Sequence, residues 1–415
     1  MAVVNNVPAI KFYKYKIDAF DIILPNVKDP VKVDPSHITS MSIEKDFDNN
    51  FFPVFKVSVS LNPKVYHSVL DNKLKVKFRI RLQKYVFKQD STFDFKEDIV
   101  NDLFCIYIDE DTPFMDEKNY DEIRKSDIVM SDYTSEYVLY LFKEKDINDT
   151  KLIVNKVLKK ANMTNTLAYL LGSNGFKNIL MAPLDNAVEY DEVLLQPITL
   201  LGNLEYLEQQ FGFYNEGATI FFDLDYIYIV PRRNACKVWK TNDYKQTVFN
   251  LKESGSVAGL GPGCYDDKDG KKFYINVTPN NYTTSNQSVL ADHMDGNSMM
   301  VINPITASVD KIKSDATQRG DGTYKILINK YNNKLSNSSE KSNINEASSI
   351  VSVNFSDFDI SAISPNKEFL FIFENKKINT IFGGLYRMSR QYIEFVKQGN
   401  EYQIVGNCQL KKPPS

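Results

Sequence analysis

Cysteine, histidine and tryptophan are scarce in this 415-residue chain, at four, three and one residues. Cys105, Cys236, Cys264 and Cys408 stand far apart with no paired spacing. That excludes a disulfide framework and a sequence-local zinc site, and predicts reduced, buried thiols. His37, His67 and His293 each stand outside any ligand or nucleophile motif, so no catalytic residue, no metal ligand and no cofactor is expected. No apolar run approaches the roughly 18 residues that span a bilayer. The opening MAVVNNVPAIKFYKYK lacks the basic-then-apolar order of a secretion signal, so no membrane partner is expected and folding is expected in a reducing cytoplasm. Excess charge is missing too. Fifty Lys and Arg against 53 Asp and Glu give a net charge of -3, and no global basic field recruits nucleic acid. The glycine-rich run Gly255–Gly263 has neither a G-x-x-x-x-G-K-S/T pattern nor a strand–GxGxxG–helix setting, and reads as a loop. The acidic stretch Asp109–Asp132 lacks the glycine and closing glutamate of a calcium loop at their spacings, and reads as solvated.

What is present is β-rich. The chain is long enough for two to four domains, and 13% aromatic residues lean towards strands. Residues 11–83 read as β structure throughout. Tyr13, Tyr15, Ile17 and Ala19 alternate with polar residues, as do Thr39, Met41 and Ile43, and then Phe55, Val57, Val59 and Leu61. Leu74, Val76, Phe78, Ile80 and Leu82 alternate with Lys75, Lys77, Arg79 and Arg81, whose heads then project from one strand face as a basic ridge about 6–7 Å apart. The ridge is either an ordinary solvated face that discourages edge association or a contact surface for an acidic protein partner or nucleic acid, the protein being favoured because the whole chain is acidic.

From Asp146 the period turns helical through Ile153, Val157 or Leu158, and again through Leu167, Leu170 and Leu171. Leu194–Pro231 is the densest unit. Pro197 suits a first helical position, Ile198, Leu201, Leu204 or Leu207 and Phe211 form one apolar face, and Gly212 supplies a stop. Ala218–Phe222 and Tyr226–Val230 then read as a hairpin. Short β runs return at 237–240, 246–251, 273–278 and 299–302, a polar loop spans 333–349, and strands close the chain at 369–373, 385–388, 392–396 and 402–405.

The run Gln196–Leu201 with Tyr206-Leu207 and Phe211–Tyr214 resembles the helix-and-hairpin core of phage baseplate hub proteins, the family that includes the tail hubs of contractile phages and the base of type VI secretion spikes. Ile38–Leu61 is similar to the first β domain of such hubs, and Gly383–Lys411, with Tyr386-Arg387-Met388, to their last strands. The resemblance implies an α+β, mainly β chain with two tail-tube-like β-barrels and an inserted α/β domain. The divisions would be 1–145, 146–233 and 234–415, with strands exchangeable between the barrels. It implies a structural, non-enzymatic role in the virion after synthesis in the host cytoplasm: a homotrimer joining the hexameric tail tube protein to the central spike protein, beside other baseplate proteins, with DNA only passing through the lumen. Some hubs carry a fused lysozyme or peptidase; none is expected after Lys411, and wall hydrolysis by this chain is not expected. The alternatives are a tail-associated peptidoglycan hydrolase and a receptor-binding tail protein.

Overall fold

The computed structural model describes residues 10–25, 27–47, 50–72, 75–88, 99–107, 134–176, 178–214, 217–223, 226–231, 246–251, 263–267, 269–286, 298–303, 308–312, 324–328, 349–363, 365, 369–398 and 401–412. The expected loops at 109–132 and 333–348, most of the glycine-rich run and the expected strand at 237–240 lie outside these residues.

In chain order the strands begin with β1 (Lys11–Ile23), β2 (Val31–Val33), β3 (Ile38–Asp46), β4 (Val54–Leu61), β5 (Lys77–Lys88), β6 (Ile99–Tyr107) and β7 (Ser135–Lys143). Next come β8 (Ile153–Asn162), β9 (Ile179–Met181), β10 (Glu189–Thr199), β11 (Ala218–Asp223) and β12 (Tyr226–Pro231). The second half contributes β13 (Gln246–Leu251), β14 (Gly263–Asp266), β15 (Lys272–Val277), β16 (Tyr282–Asn286), β17 (Ser298–Asn303), β18 (Ser308–Ile312) and β19 (Tyr324–Ile328). Last are β20 (Ser349–Ser356), β21 (Phe369–Phe373), β22 (Gly384–Gln398) and β23 (Glu401–Lys411). β17, β18 and β19 form a small sheet of their own.

Fifteen strands belong to one sheet that closes on itself. Eight pair in the circuit β22-β3-β4-β7-β6-β5-β1-β23 and back to β22, all antiparallel. Seven pair in a second circuit, β1-β14-β15-β13-β21-β22-β23. The two share β1, β22 and β23, within an outer perimeter of eleven strands. β23 is the dividing element: it pairs with β22 along its whole length on one edge, and with β1 and then β20 on the other. β1 meets β14 at the single pair Lys11–Cys264, which the Lys11–Asp266 ion pair of 2.8 Å reinforces.

The alternation read from sequence explains the core. Phe55, Val57, Val59 and Leu61 on β4 and Phe78, Ile80 and Leu82 on β5 are all buried. In β1 a bulge between Ile17 and Ala19 moves the inward set to Phe20 and Ile22 and leaves Ala19 half-buried. A similar shift between Ile38 and Ser40 turns Thr39 outward, where its hydroxyl bonds Glu136.

Three local expectations are corrected. Pro63–Asp71 is a helix inside the region read as all β; Asn62 caps it by accepting from the Lys64 amide, and Pro63 sits in its first turn. Ile153–Asn162 is a strand, although its apolar residues also fit helical spacing, and the helix starts afterwards at Met163, capped by Asn162. The later helix runs over Leu200–Phe211 with Thr199 as cap, so Pro197 lies in β10. The reason is a buried staple. Asn203 Oδ1 accepts from Gln196 N at 2.8 Å and its Nδ2 donates to Gln196 O at 2.9 Å, holding the strand extended across the Leu195–Ile198 irregularity. Gly212 ends the helix at φ +69° as expected. The hairpin β11–β12 forms with β9 a three-stranded sheet over a second core made by Leu167, Leu170, Leu200, Leu204 and Leu207. The chain is therefore mainly β with an inserted α/β unit.

Candidate interaction surfaces

Chemistry-bearing side chains are few and shielded. Cys105, Cys264 and Cys408 are buried free thiols. Burial pushes Cys105 up to about 12 and raises the other two further, so all three are held protonated. Cys236 and His293 lie outside the described residues. His37 is exposed, and His67 is buried on the Pro63–Asp71 helix, where desolvation lowers its pKa. Among the described residues, no group of three or more His, Cys, Asp or Glu could hold a metal, and no helix is long and apolar enough to cross a membrane. An open cleft of about 310 Å³ is lined by Lys16, Asp18, Asp34 and Lys397, among others. Its polar groups are already engaged: Lys16 pairs with Asp18, Lys397 donates to Ser36 O at 2.7 Å, and Asp34 accepts from Ser36 N at 2.8 Å.

Three of the four residues of the expected basic ridge share one strand, and their charges are partly answered. Lys77, Arg79 and Arg81 lie on β5, while Lys75 precedes the strand in a turn and is exposed. Lys77 reaches Glu144 at 2.6 Å. Arg79 donates from Nε to Asp21 Oδ2 at 2.8 Å, and also through Nη2, across the β1–β5 register. Asp21 is almost fully buried, so this arginine anchors to its own sheet.

Two features had no marker in the sequence. The first joins the inserted unit to the barrel. Lys45 on β3 places Nζ 2.6 Å from Asp223 Oδ1 at the end of β11, with side-chain exposures of 5% and 1%. At that distance, with both side chains buried, the two form a close ion pair shielded from solvent. Around it, Phe47 packs on Phe221 at 4.7 Å between ring centroids, Phe222 N donates to Phe51 O at 2.7 Å, and Arg387 Nη1 approaches Thr219 Oγ1 at 3.5 Å. The second is the ribbon formed by β8 and β10, which stands apart as a two-stranded sheet. Val193 and Leu195 bury one of its faces, while Ile153, Val157 and Leu194 are exposed on the other.

A family model described as the bacteriophage PBS1 gene 109 protein matches residues 14–413. The chain belongs to that family. The fold of this gene 109 family member is also found in a tail protein from Neisseria meningitidis MC58, with a TM-score of 0.51 at 8% identity, over 97% of this chain and 96% of that one. The 43 kDa tail protein of prophage MuSo2 from Shewanella oneidensis superposes at 0.48 with 9% identity, over 95% and 98%. A chain of a Francisella PdpA–VgrG complex does so at 0.49 with 10% identity, over 99% and 55%. No curated protein sequence matches. At such identities the Neisseria likeness is one of fold, and it agrees with the fold that the hub resemblance implied.

Proposed function

We propose that this member of the gene 109 family is the structural hub of a phage tail baseplate, a non-enzymatic homotrimer that joins the hexameric tail tube to the threefold central spike. The supporting observation is the double circuit of strands. A chain with two fused rings, repeated three times about an axis, presents six rings to a sixfold tube and keeps true threefold symmetry towards a spike. Closed cyclic assembly is the ordinary way homo-oligomers are built. In this reading residues 1–145 and 234–415 supply the two rings and 146–233 the inserted domain. Its partners are the tube protein, the spike protein and other baseplate proteins, and DNA passes only through the lumen. The ridge residues Lys75, Lys77, Arg79 and Arg81 contribute a contact with an acidic neighbour. The buried, protonated thiols favour scaffolding over nucleophilic chemistry.

The test is to label the C-terminus in intact particles and image them. The label is expected at the junction of tube and spike, once per chain in threefold arrangement. Labels along the tube, on fibres or absent from the particle would refute the hub assignment. Wall digestion by the purified chain would refute its non-enzymatic part.

A further inference from the structure

The β8/β10 ribbon carries opposite charges on its two strands. Lys156, Lys159 and Lys160 are on β8, and Glu189, Asp191 and Glu192 on β10, all exposed. Lys156 rests over the Tyr169 ring at 4.3 Å. Among the described residues, the other five form no ion pair, even though Lys159 and Glu192 are cross-strand neighbours. Between the charges lies an apolar patch of Ile153, 70% exposed, Val157, 48%, and Leu194, 45%, with Val157 directly opposite Leu194. The other face is occupied by the two helices that follow β8 and β10. Each strand also has an outer edge that pairs with nothing among the described residues. An unpaired edge beside exposed apolar residues is a surface that pairs with another chain.

We propose that this ribbon is where a second copy of the chain docks, with β8 of one copy beside β10 of the next. The charges select the arrangement. A two-fold contact of β8 with β8 gathers only lysines along one seam, and one of β10 with β10 only carboxylates, so neither offers an opposite charge across the contact. Only the head-to-tail contact puts Lys159 and Lys160 against Glu189, Asp191 and Glu192. It also lets Ile153, Val157 and Leu194 of neighbouring ribbons form one apolar strip. A head-to-tail contact leaves one unused strand at each end and is completed by closing into a ring. With three copies, three ribbons make a six-stranded collar about the axis. The number three rests on the proposed hub; the edge-to-edge contact does not.

The experiment is sedimentation equilibrium of the full chain from low to high micromolar concentration at low ionic strength, where screening is weakest. The chain is expected to associate with rising concentration and to dissociate with salt. Lys159→Glu with Lys160→Glu should lower the association constant about tenfold or more, as should Glu189→Lys, Asp191→Lys and Glu192→Lys together. The chain carrying both sets has complementarity restored with its sign reversed, and should recover to within about threefold of the original. All sites are exposed, so far-UV dichroism and the melting temperature should stay unchanged and separate lost docking from lost folding. A chain that is monomeric throughout overturns the proposal, and so does a combined variant as weak as its parents. Association indifferent to both swaps shows that copies meet elsewhere: the ribbon contact falls and the hub survives. Intact ribbon docking with labels away from the tube–spike junction has the opposite meaning.

Discussion

The Lys45–Asp223 pair offers the sharpest test of how the inserted unit is held. Lys45→Met removes the counter-charge beside a carboxylate that is 1% exposed. Asp223 has no hydrogen bond among the described residues to fall back on. Removing one partner of such a buried pair costs about 3–5 kcal/mol, because the remaining charge stays desolvated. Lys45→Met combined with Asp223→Leu takes both charges away and should return to within about 1 kcal/mol of the parent, since desolvation of a buried pair roughly cancels its attraction. The expected coupling energy is thus about 3 kcal/mol or more, well outside the scatter of independent sites. Equilibrium urea unfolding measures it, provided the denaturant slope is unchanged across the cycle. The Phe47–Phe221 and Phe222–Phe51 contacts persist in every variant, so the unfolding of barrel and insertion should remain one transition. A loss below about 1 kcal/mol for Lys45→Met alone would mean that water reaches the pair, and the electrostatic account of the junction would be wrong.

Leu204, fully buried under the β8/β10 ribbon, should cost about 2–5 kcal/mol when changed to alanine; a loss below 1 kcal/mol in the same assay would displace this helix from the core. Gly406→Ala places a methyl 2.8 Å from the Phe358 ring and 2.9 Å from that of Phe355, and should destabilise by about 1–3 kcal/mol; an unchanged unfolding midpoint would show that the β23–β20 contact is loose. Cys105, with its pKa near 12, is about one part in ten thousand thiolate at pH 8, so native chains should leave it, Cys264 and Cys408 unmodified by a thiol reagent that labels all of them in urea. The same raised pKa values give a sign to alkaline stability. As pH climbs past the ordinary value of 9.0, the unfolded chain releases its thiol protons first, so stability should fall from about pH 9 towards 12 in reducing buffer. A flat stability profile over that range would contradict the burial.

Where one face of a strand meets the core, as at Phe55–Leu61 and Phe78–Leu82, period-two alternation sufficed to place it. Bulges broke the pattern at Ala19 and Thr39, because a single extra residue flips every later side chain and leaves no compositional trace. The Pro63–Asp71 helix was legible in principle: Asn62-Pro63 is a cap followed by a first-turn proline, although strong strand alternation flanks it on both sides. β8 was not. Its apolar residues are split between a covered face and an exposed one, and such spacing serves a helix equally well. Of the candidate surfaces, the basic ridge could be seen because its charges recur at strand spacing. The Lys45–Asp223 pair and the opposed charges of the ribbon could not, since both depend on residues far apart in the chain and on which strands become neighbours.

The position of β23 also governs the order in which the molecule can be made. Neither circuit closes until β22 and β23, the last two strands in the order, are laid down. Lys14 must wait for Glu401, 387 residues later, to complete its ion pair. A nascent chain on the ribosome therefore holds the Lys14–Tyr15 part of β1 with that edge unmet until β23 emerges, a slow and aggregation-exposed topology. A polypeptide cut short anywhere before residue 384 lacks the common wall of both rings. Such a fragment is open to proteolysis and cannot offer a finished face to its neighbours. Emergence of β22 and β23 thereby decides whether either ring can close.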